Sequence, residues 1–346
     1  QEQERMSRLR ASLETSFEPV TCKRLIMSSN DLNTMKAIEL FCPGTIANIS
    51  CGFDVLGCCL DSVGDRMWIR KTEVPGIRIS RITGADLPLD PARNVAGAAI
   101  EALLNELDAV PPFGFELEME KNIKPGSGIG SSAASAAGAV FGVNKLLGEP
   151  FTASELVPFA AEGERLACGS PIADNVTPAL LGGFTLVQSE QPLRVLRLPV
   201  ISGLCATVIH PQIEIKTSDS RAILPEQVPL KDAIRQWANV GTLVHALHEN
   251  DPELFGISLK DHIVEPHRSK LIPLFDSIRD AALNEGALGC GISGSGPSIF
   301  AFSKNMEIAE KVKVKFEDIY SKTSIPFQVY TSRINEEGIK ILNIEL

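Results

Sequence analysis

Residues 124–135 read Lys124, Pro125, Gly126, Ser127, Gly128, Ile129, Gly130, Ser131, Ser132, Ala133, Ala134 and Ser135. Glycines at alternate positions let a main chain approach a ligand and turn successive N–H groups toward it. The helix expected to follow offers its own unpaired N–H groups and the positive end of its dipole. That is chemistry for a phosphate, and the serine hydroxyls add donors or oxygen ligands for Mg²⁺. The competing reading is a tight turn into a small-residue helix packed closely on a sheet. Two familiar loops are excluded. A Walker A loop ends on Gly-Lys-Ser/Thr, where this chain has Gly130-Ser131-Ser132, and a dinucleotide loop needs an acid closing the next strand, where Glu149 instead sits in a Gly-Glu-Pro turn.

Other segments carry side chains suited to recognition or transfer. Asn48 and Asp54 lie in the stretch 43–54, where they could simply organise a turn through side-chain hydrogen bonds. Glu164 falls in a helix of mixed polarity, where a lone carboxylate usually marks a solvated face. Asp174 and Asn175 follow it, with Asn175 placed to cap the next segment. Thr217, Arg221 and Arg268 come later; each arginine by itself reads as a surface charge, although the planar fork suits a carboxylate. The glycine-rich stretch 291–297 alone would link two strands. His245 and His248 are three residues apart on an expected helix, but no acidic or cysteine partner stands nearby, which argues against a metal site.

In order and spacing, the segments 43–54, 124–135, Glu164 with 174–183, and 291–297 resemble the motifs of the GHMP kinases. The likeness covers nearly all of residues 36–346. The Ala-Asn…Gly-Phe-Asp signature, the Asp-Asn-Val-x-Pro-Ala-Leu-Leu-Gly-Gly run, Thr217…Arg221 and Glu265-Pro-His-Arg268 are similar to the homoserine kinase branch. The resemblance implies an α+β, two-domain fold: an amino-terminal domain like ribosomal protein S5 domain 2 and a ferredoxin-like carboxy-terminal domain. It implies that loop 124–135 holds the triphosphate of ATP, with Ser132 and Glu164 as Mg²⁺ ligands. It further implies that Asn48 and Asp54 grip the substrate L-homoserine, that Asn175 faces its hydroxyl, and that Thr217, Arg221 and Arg268 belong to the same site, the arginines on the carboxylate. The product would be O-phospho-L-homoserine, on the route to threonine.

The chain departs from the family pattern in three places. Ile172 stands where a histidine is usual two residues before the Asp-Asn pair, and 169–175 also resembles the mevalonate kinase motif, whose aspartate is a proposed base. Ser50-Cys51 replaces a common Gly-Pro, and the loop proline is displaced by one so that Lys124 takes its place. The readings that compete with a homoserine kinase are another GHMP kinase with a mevalonate-type substrate, a nucleotide-binding regulator without turnover, and, more remotely, a dehydrogenase.

The elements that must position these residues can be outlined from pattern. Strands are expected at 36–42, 66–71, 77–82, 114–120 and 184–188, and helices at 94–107, 131–147 and 154–167. From about 193 onward the order is strand, strand, helix 233–249, helix 271–285, strand, glycine loop, strand, helix 306–320 and two closing strands. Mixed order without strict βαβ alternation favours α+β layers over a doubly wound sheet. The expected division is a polar extension over 1–35 outside the fold, a nucleotide domain over 36–195 and a second domain over 196–346.

Bulk composition sets the remaining bounds. At 346 residues two domains are expected, with a cleft between them. With 43 acidic against 33 basic residues the molecule does not look like a partner of nucleic acid or an anionic membrane. The eight cysteines contain no C-x-x-C spacing and read as reduced, buried thiols. No apolar run approaches the roughly 18 residues of a membrane span and no secretory signal pattern opens the chain, so the expected setting is cytoplasmic. The oligomeric state is not fixed by the sequence, a homodimer being compatible with it.

Overall fold

A computed structural model describes residues 35–346, apart from 170, 214 and 216. The expected extension thus lies almost wholly outside the described residues.

Among the described residues, eleven strands form two sheets. β1 (Ala37–Ala47), β2 (Leu56–Thr72), β3 (Gly76–Thr83), β4 (Gly114–Glu120), β5 (Phe184–Glu190) and β6 (Leu193–Leu198) build the first, together with the closing strand β11 (Lys340–Glu345). Its path is β11-β1-β2-β4-β3, and β5 pairs the opening end of β2 and carries β6. Among the described residues of this sheet, β3 and β4 pair in parallel and the other pairs are antiparallel. The second sheet, β10-β7-β9-β8, holds β7 (Cys205–Pro211), β8 (Gly289–Ile292), β9 (Ile299–Ser303) and β10 (Phe327–Arg333). This is an α+β fold in two layers of sheet and helix. The strand path carries the first sheet through Leu198 and returns residues 340–345 to it.

The helices in chain order are α1 (Val95–Asn105), α2 (Ser131–Leu146), α3 (Ala153–Cys168), α4 (Val176–Leu181), α5 (Thr217–Ala222), α6 (Leu230–Glu249), α7 (Pro252–Ser258), α8 (Glu265–Arg268), α9 (Phe275–Asn284) and α10 (Met306–Ser321). Among the described residues, none of them is long and apolar enough to cross a membrane.

The run of small residues in α2 has a packing reason. The helix lies directly on β1 and β2: a side chain at Gly138 would strike the Cys42 sulfur, and one at Gly142 would meet Ile69 Cδ1 at 2.6 Å. Five alanines fill much of its first three turns, and nearly every residue is buried. α1 begins where Asn94 Oδ1 accepts the Ala96 N–H at 3.0 Å, an ordinary N-cap. α3 starts on a capping box between Thr152 and Glu155 and stops at Gly169 with φ of 79°. On the second sheet, α9 and α10 bury Phe275, Ile278, Val312, Phe316 and Tyr320 against Ile209, Ile292 and Ile299.

Pattern reading placed most elements but shortened the first two strands. β1 runs on through Pro43, Gly44 and Thr45, which looked like loop, because β2 pairs along its whole length around an irregularity between Pro43 and Thr45. That continuation carries Asn48 to the edge of the cleft.

Candidate active site

A cleft of about 670 Å³ is lined by both halves of the chain: the glycine loop and α3 on one side, Ile215, Arg221, Arg268, Gly294 and Ser295 on the other. Gly126, Gly128 and Gly130 have φ of 73°, 83° and 70°, left-handed values that glycine adopts without strain. Space also demands two of them. A side chain at Gly128 would approach the Ser293 carbonyl to 2.6 Å, and one at Gly130 would strike the Thr45 hydroxyl. The 291–297 turn thereby buttresses the loop: Ser293 Oγ donates to Gly128 O at 2.7 Å and Ser298 N to Ser127 O at 3.2 Å. α2 starts at Gly130 with no side-chain cap, so its first N–H groups are not taken by a protein side chain.

Acidic groups gather beside the loop. Ser132 Oγ donates to Glu164 Oε2 at 3.0 Å, while Glu164 Oε1 is buried with no partner. Burial pushes the Glu164 carboxyl up to about 7, against the pull of the Ser132 hydrogen bond and the Lys121 charge. Asp174 is likewise raised to about 7, chiefly by burial and then by the charges of Asp54 and Glu164. Asn175 stands at the N-cap of α4 but makes no cap bond; its Oδ1 accepts from Thr45 Oγ1 at 2.6 Å and its amide donates to Asp174 at 3.3 Å. Underneath, Lys121 forms a buried ion pair with Asp65 and donates to Ser131 O and Ser135 Oγ, both at 2.8 Å. Asp65 in turn accepts from the Asn122 and Ile123 N–H groups at 2.7 and 2.9 Å. The pair ties the first turn of α2 to the end of β4.

The loop between β1 and β2 is the most strained backbone in the site. Asn48, Ile49, Ser50 and Asp54 all take left-handed φ, of 72°, 42°, 55° and 59°. For a β-branched isoleucine this conformation is unfavourable and persists only where surroundings enforce it. Here they do: Asn48 Oδ1 accepts the Asp54 N–H at 3.0 Å, Asn48 Nδ2 donates to Gly294 O at 2.8 Å, and Gln236 Nε2 donates to Cys51 O at 2.9 Å. The turn presents Asp54 to Arg221, whose Nη2 lies 3.0 and 2.9 Å from the two carboxylate oxygens. Arg221 and Arg268 both stack on Phe53, with guanidinium carbons 5.6 and 5.0 Å from the ring centroid. Arg268 is 3 % exposed, and its guanidinium is drawn down to about 10 by burial and then by Arg221, so it remains charged at neutral pH.

The cleft therefore brings together Asn48, Asp54, Asn175, Arg221, Arg268, Glu164, Pro125, Gly126, Ser127, Gly128, Gly130, Ser131, Ser132 and Ser135. Four side chains of the glycine segment do not reach it. Lys124 Nζ turns to Gln212 Oε1 at 2.6 Å, and Ile129, Ala133 and Ala134 are fully buried in the core because this side of the turn and helix faces the sheet. Whatever these four offer a ligand comes through the main chain. Thr217 opens α5, but its side chain lies outside the described residues. Ile172 lines the cleft. Sequence reasoning missed Lys121, Asp65, Thr45 and Phe53. Lys121 had one available signal, a lone cation closing an otherwise apolar and acidic strand just ahead of the loop.

Comparison with known proteins agrees with this geometry. Family models for the GHMP kinases N-terminal domain and the GHMP kinases C-terminal domain match residues 94–183 and 243–322. The homoserine kinase of Chlorobium phaeobacteroides is 43 % identical over 321 residues, covering 89 % of this chain and all of that one. The chain belongs to the homoserine kinase family of GHMP kinases. A Pyrococcus abyssi homoserine kinase is 40 % identical over 283 residues, 81 % of this chain and 93 % of its own. The crystal structure of homoserine kinase from Cytophaga hutchinsonii superposes with a TM-score of 0.85 at 48 % identity, over 89 % of this chain and 98 % of that one. A mevalonate kinase structure shares the GHMP fold at a TM-score of 0.66 but only 16 % identity, over 87 % of this chain and 99 % of that one.

Proposed function

We propose that this GHMP kinase transfers the γ-phosphoryl group of ATP to the side-chain hydroxyl of L-homoserine, giving O-phospho-L-homoserine and ADP in the synthesis of threonine. The observation that carries the reading is the presence, in one cleft, of a glycine loop with uncapped helix N–H groups and two arginines stacked on Phe53, Arg268 buried and Arg221 partly exposed. The loop suits a triphosphate. The arginines suit a carboxylate, which homoserine has beside its hydroxyl.

In this reading the loop amides and the start of α2 take the phosphates, while Arg268 and Arg221 orient the amino acid, and Asp54 and Asn48 hold the arginine and the strained turn in place. Phosphoryl transfer with a loose transition state asks mainly for alignment and charge compensation. The bond from the γ-phosphorus to the bridging oxygen breaks as the homoserine oxygen bonds to phosphorus. The departing hydroxyl proton has an acceptor in Asp174, whose carboxyl titrates near neutrality. Asn175, held by Thr45, would position the hydroxyl. The unpartnered Glu164 oxygen and the Ser132 hydroxyl are hard oxygen donors that suit Mg²⁺, which when bound would offset phosphate charge. A division of the chain near residues 199–204, with the last strand returning to the first domain, accompanies this proposal.

The test is ADP release with MgATP and L-homoserine, run beside L-serine, L-threonine and mevalonate, with Glu164→Ala as control. Homoserine-dependent turnover lost in the control supports the assignment. Turnover with mevalonate alone would overturn the substrate, and ATP binding without any product would overturn catalysis.

A further inference from the structure

Thr45 joins the glycine loop to the residue at the head of α4. It is fully buried near the end of β1, just past the irregularity in the pairing with β2, and it bonds to two different elements. Its N–H donates to Ile129 O in the loop at 3.2 Å, and its hydroxyl donates to Asn175 Oδ1 at 2.6 Å. Gly130 closes over this pair: a Cβ there would strike the Thr45 hydroxyl and lie 3.1 Å from Asn175 Oδ1. The loop glycine thus leaves room for this one hydrogen bond.

The direction of that bond follows from the other end of the amide. A primary amide carries an acceptor oxygen and a donor nitrogen of similar size, so its neighbours decide which way it turns. Asn175 Nδ2 lies 3.3 Å from Asp174 Oδ1, and an ionised carboxylate only accepts. The amide oxygen therefore faces Thr45, which has a proton to give. Nδ2 carries two hydrogens. Asp174 takes one; among the described residues no protein acceptor takes the other, and Asn175 lines the cleft.

We propose that Thr45 is a positioning residue for phosphoryl transfer: by holding the amide oxygen of Asn175, its hydroxyl turns the free Asn175 N–H toward the acceptor hydroxyl of the substrate. The inference rests on the homoserine reading and deepens it. The homoserine oxygen accepts that N–H through one lone pair, its proton is left to Asp174, and its second lone pair bonds to the γ-phosphorus as the bond from phosphorus to the bridging oxygen breaks. With the amide reversed, the Asn175 oxygen would engage the hydroxyl proton and hold it away from Asp174. Thr45 touches neither substrate in this arrangement; it acts through Asn175.

The experiment is steady-state kinetics of the full chain carrying Thr45→Val, Thr45→Ser, Asn175→Ala, or Thr45→Val with Asn175→Ala. Valine keeps the shape and deletes the donor, so kcat should fall on the order of 10–100-fold while KM for ATP and for homoserine each stay within about threefold of wild type. Serine keeps the donor and should retain most of the rate. In the Asn175→Ala background Thr45→Val should cost nothing further, because the group it orients is gone. Thr45→Ala deletes the same donor and gives the same test where the valine variant does not fold. Equal losses for valine and serine, a loss confined to KM for ATP, which would place the effect in the Ile129 contact, or losses that multiply in the double variant would each overturn the inference. A wild type without homoserine-dependent ADP release would overturn the homoserine reading and this inference with it, an outcome told apart from the others because it appears before any variant is compared.

Discussion

Glu164→Gln should separate stability from function, in opposite directions, at one residue. Glu164 is 4 % exposed and its carboxyl sits at about 7 instead of an ordinary value near 4.5. The folded, metal-free protein thus binds a proton more tightly than the unfolded chain does. Between about pH 4.5 and 7 stability falls as pH rises, and above 7 the full cost of a buried charge is present. At 1.36 kcal/mol per pH unit that cost is about 3 kcal/mol. Glutamine removes it. The amide can keep the acceptor role toward Ser132, but its N–H₂ occupies the place of an oxygen that has no partner, a desolvation penalty of ~1–3 kcal/mol at every pH. The wild type and variant should therefore differ by an amount that shifts about 3 kcal/mol in favour of the variant between pH 4.5 and 8. Relief of Asp174, which Glu164 also pushes up, adds in the same direction. Urea denaturation without nucleotide or metal at both pH values measures the shift, while kcat should fall at least about a hundredfold with loss of the anionic ligand. A stability difference that stays constant with pH would refute a raised carboxyl at this position.

Lys121→Met should destabilise the protein by about 3–5 kcal/mol, because it leaves Asp65 charged and buried and frees the first turn of α2; a change below about 1 kcal/mol in urea denaturation would contradict the pair's role. Arg268→Lys loses the planar fork on Phe53 and the bonds to Ser220 O and Gly294 O at 3.1 Å, and should raise KM for homoserine on the order of 10–100-fold with KM for ATP little changed. An equal rise in both constants would place Arg268 elsewhere in the mechanism. If Asp174 accepts the hydroxyl proton, kcat/KM should climb through an acid limb near pH 7 that Asp174→Asn abolishes together with most of the rate; an unchanged profile in that variant would remove it as the base.

Local sequence was enough for everything that depends on neighbours along the chain. The glycine loop could be read because alternating glycines before a small-residue helix have few other uses, and α1, α3 and β4 were legible from their caps and alternation. Asn48, Asp54, Asn175, Arg221 and Arg268 were named through the resemblance of spaced motifs, not from their own surroundings, which in sequence are those of ordinary turn and surface residues. What no local pattern could supply was decided by contacts across long separations. Lys121 and Asp65 are 56 residues apart and become a pair only when β2 and β4 align. Thr45 reaches Asn175 across 130 residues, and Ser293 reaches Gly128 across 165. The direction of each side chain in the 124–135 segment was likewise a tertiary matter: the same run of small residues sends its serines toward the cleft and Ile129, Ala133 and Ala134 into the core. Sequence determined which groups were available, since composition and backbone propensity are local. The folded sheets determined which of them met, because burial and hydrogen bonding are properties of surroundings that the chain acquires only by packing.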